Sequence, residues 1–547
     1  MTMKAITSRF WQSSAGIRKR PGSRLVVIGF ALAGSIGLTG CGQSEGGQAT
    51  AAPVSAPGSE DPNAVDPETV VIAAGDDARK PPFDFSPEDD AFLDEIQRQS
   101  FRYLWEAVSP DTGMVYDRSS SRVVSVAGVG FQLSAFPIGV ERGWITEDEG
   151  RARAVQILRA LLDQPLNRKA GLFYHFINDT DAGPYRVGTE LVVSTVDSAL
   201  LFAGAITAAA YFEGEVAELT DTMLADADWS FFVVDGTDTA SDGHVTLGWR
   251  PDADEDPIGP GRLLPYVWLD SGDEHRLVAF LAACAPNEDH RLGAEHYYGL
   301  RRALGDYAEI GPMVWFPYSG ALFTAFFAHC WIDYAAMGPD NPAAFDVERR
   351  SQVDWWENSR RLTRLHQVKA EANPDGVPTL GPNAWGLTAS DVRTGYGVPG
   401  VFPTPIPMRG AERDRDVSGY VPEDNYGDGT VAPYGAGSAI MFDPVRALAA
   451  LRHYRSLTGP DGQPLVWKGE AEDEFGFRDA YREAVPASGD QAAEEAWIAH
   501  DYVAIDQGPM TLAIENARTG LVWSLFGSHP AVKDGMTRLG LTRNRDR

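Results

Sequence analysis

Apolar residues recur with helical spacing along most of the chain after residue 85. In the first such segment Phe101, Leu104 and Trp105 share one helical face, and Ser86-Pro87 is typical of a helix start. Strict alternation of the kind that predicts long strands is scarce. Similar helical spacing predicts further helices at about 123–141, 146–164, 191–213, 217–232, 272–285, 290–305, 317–337, 343–371, 436–457, 474–484 and 502–527.

About a dozen helices, joined by long loops rich in glycine and aromatic residues, suggest a toroid of six inner and six outer helices. Spacing alone also fits other large helical folds. The expected fold class is therefore all-α, with long loops gathered on one side of the molecule where they would form a substrate groove.

The first 41 residues are typical of a bacterial lipoprotein signal peptide. They carry six basic side chains and no acidic one, followed by an apolar run, Leu25 to Leu38, that is short for a transmembrane helix. The run ends in Leu38-Thr39-Gly40-Cys41, which resembles a lipobox with Cys41 as the lipidated residue. The alternative is an ordinary signal peptide with a chance cysteine. Residues 42–85, rich in Gly, Ser, Ala, Pro and Asp, predict a flexible tether.

The formal net charge of -30 limits the partners that this chain is expected to bind. Such a surface repels nucleic acid and anionic lipid headgroups, so we expect no nucleic-acid partner, a monomer, and membrane contact only through the anchor. Gly42 after the anchor cysteine indicates the outer membrane, by analogy with bacterial lipoprotein sorting. Besides Cys41 the chain has only Cys284 and Cys330, which could form one disulfide or be two buried free thiols.

Motifs for phosphate loops, dinucleotide binding, zinc sites and serine-hydrolase elbows are absent from the sequence, so no metal or cofactor is expected. Carboxylates instead stand beside aromatic residues in loops, as in Tyr116-Asp117-Arg118 and Trp268-Leu269-Asp270. Aromatic rings stack on sugar faces, and carboxylates bind hydroxyls and supply acid and base. The pattern fits a carbohydrate groove.

Nine segments in order resemble the glucoamylase-like family: SFRYLWE at 100–106, GMVYDR at 113–118, IGVERGWI at 138–145, STVDSALL at 194–201, HCWID at 329–333, ENSR at 357–360, NAWGLTA at 383–389, DGTVAP at 428–433 and IDQGPM at 505–510. The resemblance covers about residues 88–527. The family includes the β-1,2-glucanases of glycoside hydrolase family 144, and a related module occurs in cyclic β-1,2-glucan synthases. It implies an (α/α)6 barrel, placed here at 86–530 with a tail at 531–547, and anomer-inverting hydrolysis of β-1,2-glucan.

Glu274 matches the position at which this family carries its general acid, at the junction of a loop and an apolar helix. The flanking residues depart from the family pattern: Asp273 would raise the pKa of the acid, and a protonated His275 would lower it. Local rules offer another interpretation, in which Ser271-Gly272-Asp273-Glu274 is a capping box with Ser271 as the N-cap.

Asp428 is the candidate general base, with an Asx-turn as the structural alternative. Asp506 is its rival, with an N-cap as the alternative. The remaining candidates are Asp197, which contacts sugar or caps a helix, and the pair Asp117 and Arg118, which binds substrate or forms a surface ion pair.

Three aromatic residues are candidates for stacking on sugar rings: Trp331, Trp385 and Tyr426. His329 is predicted to be a structural hydrogen-bonding residue. The sequence thus predicts a lipid-anchored endo-β-1,2-glucanase in the bacterial cell envelope. It leaves open a transglycosylase, a phosphorylase, an exo-acting sophorose-releasing enzyme and a non-catalytic glycan-binding lipoprotein, and it does not fix the linkage or chain length.

Overall fold

The computed structural model describes residues 71–543, apart from 76–77, 189, 237–240, 303, 308–309, 315–319, 348–349, 374, 402–426, 460, 470, 472 and 488–492. The signal peptide, Cys41 and most of the predicted tether therefore lie outside the described residues, as does Tyr426. The α-helices of the described part are α1 Pro87–Glu106, α2 Val126–Glu141, α3 Glu147–Asp163, α4 Thr195–Phe212, α5 Gly214–Asp226, α6 Asp273–Cys284, α7 Ala294–Tyr298, α8 Trp355–Ala372, α9 Pro433–Ser438, α10 Pro444–Ser456, α11 Ala504–Arg518, α12 Leu521–Ser528 and α13 Pro530–Arg538.

The strands are short and pair mostly in twos. They are β1 Val71–Ile72, β2 Val123–Ser125, β3 Arg168–Lys169, β4 Leu172–Phe173, β5 Phe176–Asn178, β6 Val193–Ser194, β7 Val233–Val234, β8 His244–Val245, β9 Gly248–Pro251, β10 Gly261–Leu263, β11 Leu304–Tyr307, β12 Gly311–Val314, β13 Gln352–Val353, β14 Ser390–Val392, β15 Gly395–Gly397, β16 Trp467–Lys468, β17 Gly476–Phe477, β18 Tyr481–Arg482 and β19 Trp497–Ile498. The exception is a three-stranded antiparallel sheet in the order β10-β9-β6.

An inner ring of helices forms the centre of the molecule. α2 packs against α4, α4 against α6, and α11 against both α2 and α9. Between α6 and α9 the ring continues through 3₁₀ turns at 322–325 and 328–330, where the rings of Phe326 and Tyr434 meet edge to face at 6.1 Å. α2 and α4 are apolar on nearly every side, which suits helices that are surrounded by others.

The outer layer consists of α1, α3, α5, α8, α10 and α13. These helices pack behind α11, α2, α4, the 3₁₀ turns, α9 and α6 respectively. The predicted (α/α)6 barrel is therefore confirmed. By length and composition α4 could cross a membrane, but in this fold it is a core helix whose side chains are buried.

Several predicted elements differ from the structure. The segment at 290–305 forms only the short α7, and 474–484 forms β17 and β18, where Gly476 adopts a positive φ of 82°. The segment at 317–337 is broken into 3₁₀ turns because the backbone N–H groups of Ala328 and His329 donate to the carboxylate of Asp273 instead of continuing a helix. Beyond the predicted boundary at residue 530, α13 packs on α6.

We expect Gly204→Ala to destabilise the fold. α2 and α4 approach backbone to backbone at Gly130 and Gly204, and a Cβ on Gly204 would collide with the carbonyl group of Gly130. Alanine normally stabilises a helix relative to glycine by about 1 kcal/mol, whereas overpacking of this kind costs about 1–3 kcal/mol. Urea denaturation measures the change, with Gly381→Ala as the control because a Cβ at Gly381 meets open space. An unchanged midpoint for Gly204→Ala would contradict the proposed packing constraint.

Candidate active site

The chain segments that lead into the inner helices are tied together by short β pairs. β2 and β6 immediately precede α2 and α4, and the loop between them bonds to both, because Val126 N donates to His175 O and His175 N donates to Val192 O. Bridges between Arg118 and Val503, between Val431 and Tyr481, and between Asp270 and Arg301 precede α11, α9 and α6. The N-terminal turns of the inner helices, where an acidic side chain is electrostatically favoured, are thereby held at one end of the barrel.

Glu274 is the second residue of α6, and its side chain is only 5% exposed. Burial, together with the charges of Asp197 and Asp273, raises the pKa of Glu274 to about 8. The carboxyl group is therefore protonated at neutral pH, which is the state that a general acid needs before it reacts. The capping-box alternative is wrong: Gly272 is the N-cap, and no side chain caps this helix.

Asp273 precedes Glu274 in the sequence and is fully buried. Its carboxylate accepts hydrogen bonds from Ala328 N, from His329 N (3.2 Å) and from His329 Nδ1 (3.0 Å), and it pairs with Arg276. Burial alone would raise the pKa of Asp273, but His329 and Arg276 lower it below its ordinary value. The prediction that His329 is a structural hydrogen-bonding residue is confirmed.

His275 is neutral at neutral pH, in contrast to the protonated state considered from the sequence. Burial lowers its pKa to about 4. Its Nδ1–H donates to the backbone carbonyl of Asp270 (2.6 Å), and its ring lies 4.3 Å from that of Trp268. His275 therefore does not lower the pKa of Glu274 by charge.

Asp197, in the first turn of α4, belongs to a buried group around His175. His175 Nδ1 lies 2.6 Å from Glu190 Oε1, and its Nε2 lies 3.5 Å from Asp197 Oδ1. Although burial lowers the pKa of His175, the carboxylates of Asp197 and Glu190 raise it to about 9. The backbone N–H of Asp197 donates to Ser194, which is the cap of α4, so Asp197 does not cap this helix.

Arg118 is the centre of a second charged group at the same end of the barrel. Its guanidinium lies 2.6 Å from Asp391 Oδ1, 3.7 Å from Asp117 Oδ2 and 3.8 Å from Asp501 Oδ2. It also lies over the ring of Tyr396, 5.4 Å from the centroid. The alternative of a surface ion pair between Asp117 and Arg118 is therefore wrong, because the two residues take part in a largely buried network.

Asp506 lies in the first turn of α11 beside Asp479, and Val503, not Asp506, is the N-cap. Burial raises the pKa of both carboxyl groups, and the charge of Asp479 raises that of Asp506 further. Asp479 Oδ2 also accepts a hydrogen bond from Asp391 N (2.7 Å), which favours its ionised form. Of the two carboxyl groups, Asp479 therefore has the hydrogen-bond donor that favours a carboxylate.

Asp428 forms the Asx-turn that is the structural alternative to a catalytic role. Its Oδ1 accepts hydrogen bonds from the backbone N–H (3.1 Å) and the hydroxyl group of Thr430. This use of one carboxylate oxygen is structural.

Two of the three predicted stacking residues belong to the core instead. Trp331 is 1% exposed, packs on Phe131 and donates from Nε1 to Ser134 Oγ (2.8 Å), while Trp385 is fully buried. Tyr426 lies outside the described residues. These predictions fail for Trp331 and Trp385 because an apolar ring at helical spacing packs inside a barrel as readily as it lines a groove.

Sequence reasoning missed His175, Glu190, Asp391 and Asp479. Each of them stands in a stretch that is interpreted from the sequence as a loop or a helix. A signal was available for Asp479, because Phe477 is close to it in the sequence and carboxylates beside aromatic residues are the pattern from which a carbohydrate groove is predicted. Cys284 and Cys330 are both buried and free, so they do not form a disulfide. Within the described ranges no group of three or more His, Cys, Asp or Glu side chains has an arrangement suited to a metal ion.

Comparisons with known proteins agree with this fold. Residues 266–530 match the family model described as "Putative glucoamylase". Over 490 residues, 82% of this chain, the sequence is 26% identical to the exo β-1,2-glucooligosaccharide sophorohydrolase (non-reducing end) of Parabacteroides distasonis, and the chain spans 58% of the length of that protein.

Two solved structures have a similar fold. A "putative glucoamylase" from Bacteroides uniformis has a TM-score of 0.66 and 26% identity, covering 84% of this chain and 99% of that one. The endo-β-1,2-glucanase from Chitinophaga pinensis, solved with sophorotriose and glucose, has a TM-score of 0.64 and 22% identity, covering 83% and 98%.

The protonated state of His175 predicts a pH-dependent stability. Its pKa in the folded protein, about 9, exceeds the ordinary 6.5, so its stabilising contribution is complete below pH 6.5 and is lost as pH rises through 9. The pKa of Glu274 is raised from 4.5 to about 8, so Glu274 also lowers the free energy of unfolding as pH rises between these two values. We expect the free energy of unfolding to fall from pH 6.5 to 9, and His175→Gln to flatten that fall. Urea denaturation at several pH values tests this, with His453→Gln on α10 as the control. A wild-type profile that is flat or rises over this range would refute the charge assignment.

Proposed function

We propose that this chain, whose residues 266–530 match the glucoamylase family model, is a glycoside hydrolase that cleaves β-1,2-glucan with inversion at the anomeric carbon. The observation that carries the proposal is the difference between two carboxyl environments at one barrel end. Burial raises the pKa of Glu274 to about 8, whereas Asp479 accepts a hydrogen bond from Asp391 N (2.7 Å), which favours a carboxylate. Carboxyl groups whose environments separate their pKa values are typical of acid and base assignments.

Glu274 is the general acid in this mechanism. It donates its proton to the leaving glycosidic oxygen as the C–O bond breaks, and the sugar leaves with a free hydroxyl group. Asp197 and Asp273 keep the acid protonated until substrate is bound, because their charges disfavour a third carboxylate nearby.

The base belongs to the pair Asp479 and Asp506, which we favour over Asp428. A water molecule attacks the anomeric carbon while Asp479 takes up its proton, directly or through a sugar hydroxyl group. Arg118 and Asp117 stand beside this pair and suit the binding of sugar hydroxyl groups, as does the buried Asp197. Asp428 is half-exposed, and one of its oxygens is already held by Thr430.

The relatives support β-1,2-glucan as the substrate class, because the sophorohydrolase and the Chitinophaga glucanase are both named for that linkage. Their names differ in one respect, exo for the first and endo for the second. An exo-acting, sophorose-releasing enzyme is therefore a second candidate, favoured by the curated relative.

We expect Glu274→Gln to reduce hydrolysis of linear β-1,2-glucan on the order of 10²–10⁴-fold, because general acid catalysis contributes about that much. Asp479→Asn should show a comparable loss, and Asp428→Asn should keep most of the activity. Reducing-end release measures the rates, and product size separates endo from exo action.

Melting temperature serves as the control for folding in these variants. Full activity of Glu274→Gln would remove the acid assignment, and a large loss in Asp428→Asn with an active Asp479→Asn would return the base role to Asp428. Glycan binding without turnover by the wild-type protein would favour a non-catalytic lectin-like role. A rate that depends on added phosphate would instead favour a phosphorylase, and glucan products longer than the substrate would favour a transglycosylase.

We further propose that the protein is an exported monomer anchored by a lipid on Cys41 to the bacterial cell envelope, at the outer membrane or facing the periplasm. The basic segment, the apolar run and the lipobox support this location. We expect the native protein to partition into the detergent phase of Triton X-114 and Cys41→Ser to move to the aqueous phase with unchanged specific activity. Detergent-phase partitioning by Cys41→Ser would contradict lipidation at this cysteine.

A further inference from the structure

We propose that His275 is a positioning residue for the acid: in the free enzyme its Nε2 accepts a hydrogen bond from the protonated carboxyl group of Glu274, which keeps the proton on Glu274 until the O–H group turns to the leaving glycosidic oxygen. This inference rests on the proposed function of Glu274. It starts from a distance, since Nε2 of His275 lies 3.8 Å from Oε1 of Glu274.

The tautomer of His275 is fixed by its other nitrogen. Nδ1 lies 2.6 Å from the carbonyl oxygen of Asp270, which can only accept, so Nδ1 carries the hydrogen. Nε2 of a neutral imidazole is then an acceptor with no hydrogen of its own. Nε2 is also fully buried and makes no hydrogen bond in the described part of the structure.

Burying an acceptor without a donor is unfavourable, so a nearby donor is strongly favoured. The carboxyl proton of Glu274 is such a donor. The neighbouring carboxylate of Asp273 is already occupied by Ala328, His329 and Arg276. A shift of about 1 Å in the Glu274 side chain would bring Oε1 within hydrogen-bond distance of Nε2.

Packing holds the imidazole ring in place for this role. The ring lies against Trp268, whose Nε1 donates to Thr195 Oγ1 at the start of α4 (2.9 Å). Together with Trp268, the ring also lines a cavity of about 50 Å³, to which His244 and His296 contribute as well.

The bond acts on the protonation equilibrium of the acid in a known direction. A neutral acceptor stabilises the carboxylic acid and not the carboxylate, so it raises the pKa of Glu274. After Glu274 has given its proton to the leaving oxygen, its carboxylate faces a lone pair, which favours recovery of a proton. The charged or titratable groups around the two residues are Asp197 from α4, Asp273 and Arg276 from α6, Asp270 and Arg301 from the bridge before α6, His329 from the 3₁₀ turn, and His244, Glu295 and His296 from the lining of the cavity.

Two substitutions test the roles of the two ring nitrogens of His275 separately. His275→Asn places an amide N–H near the position of Nδ1 and keeps the bond to Asp270, but it removes the acceptor at Nε2. His275→Gln reaches the position of Nε2 with an amide oxygen. We expect His275→Asn to move the basic limb of the kcat/KM pH profile to lower pH and to reduce kcat several-fold near pH 8 with little change in KM. His275→Gln should restore much of that limb.

His366→Asn is the matched control. His366 is equally buried, its Nε2 donates to the carbonyl of Gly320 (2.8 Å), and burial lowers its pKa to about 4, but it belongs to α8. We expect it to lower the melting temperature and leave the basic limb unmoved. If His275→Asn does not fold, His275→Phe serves as the variant that fills the space without an acceptor.

An unmoved basic limb in His275→Asn, or the same shift in His275→Asn and His275→Gln, would overturn the inference. If either result is found while Glu274→Gln is inactive, the role proposed for His275 is refuted and the assignment of Glu274 as the acid stands. Full activity of Glu274→Gln would instead refute the proposed function itself.

Discussion

The active end of this barrel depends on the buried carboxylate of Asp273. A charge removed from water costs several kcal/mol unless it is paired and its hydrogen-bonding capacity is filled. Here Arg276 supplies the opposite charge, and the 3₁₀ turn at 328–330 supplies two backbone N–H groups and an imidazole. The same bonds join the first residue of α6 to the next segment of the inner ring, so one carboxylate fixes both the ring and the start of the catalytic helix.

The donors that satisfy Asp273 are the reason that Glu274 behaves differently. Two adjacent acidic residues at a helix start share burial and the helix dipole, yet one has a lowered pKa and the other a raised pKa. The difference lies in the hydrogen-bond donors, which all serve Asp273. The wider site follows the same rule, since Arg118 and protonated His175 each hold several carboxylates that would otherwise repel one another.

The sequence predicted the barrel and located Glu274 through the order of the motifs that resemble the glucoamylase-like family, because helical spacing alone also fits other large helical folds. The sequence also indicated Arg118 but not its partner Asp391, because their contact joins residues 273 positions apart. Local rules failed at Ser271 for a related reason: its backbone N–H bonds to Arg301 O, and that tertiary pairing excludes it from the cap position.

The inner ring of helices can be completed only late in synthesis, because α2 packs against α11. α2 and α4 emerge early during synthesis and present strongly apolar surfaces, but the partner that covers α2 on its other side is made only after residue 503. α13, the outer helix behind α6, is made later still. Long-range closure of this kind makes folding slow and leaves apolar surface open to aggregation in unfinished chains. A chain stopped before α11 would therefore depend on chaperones, however well its first helices pair.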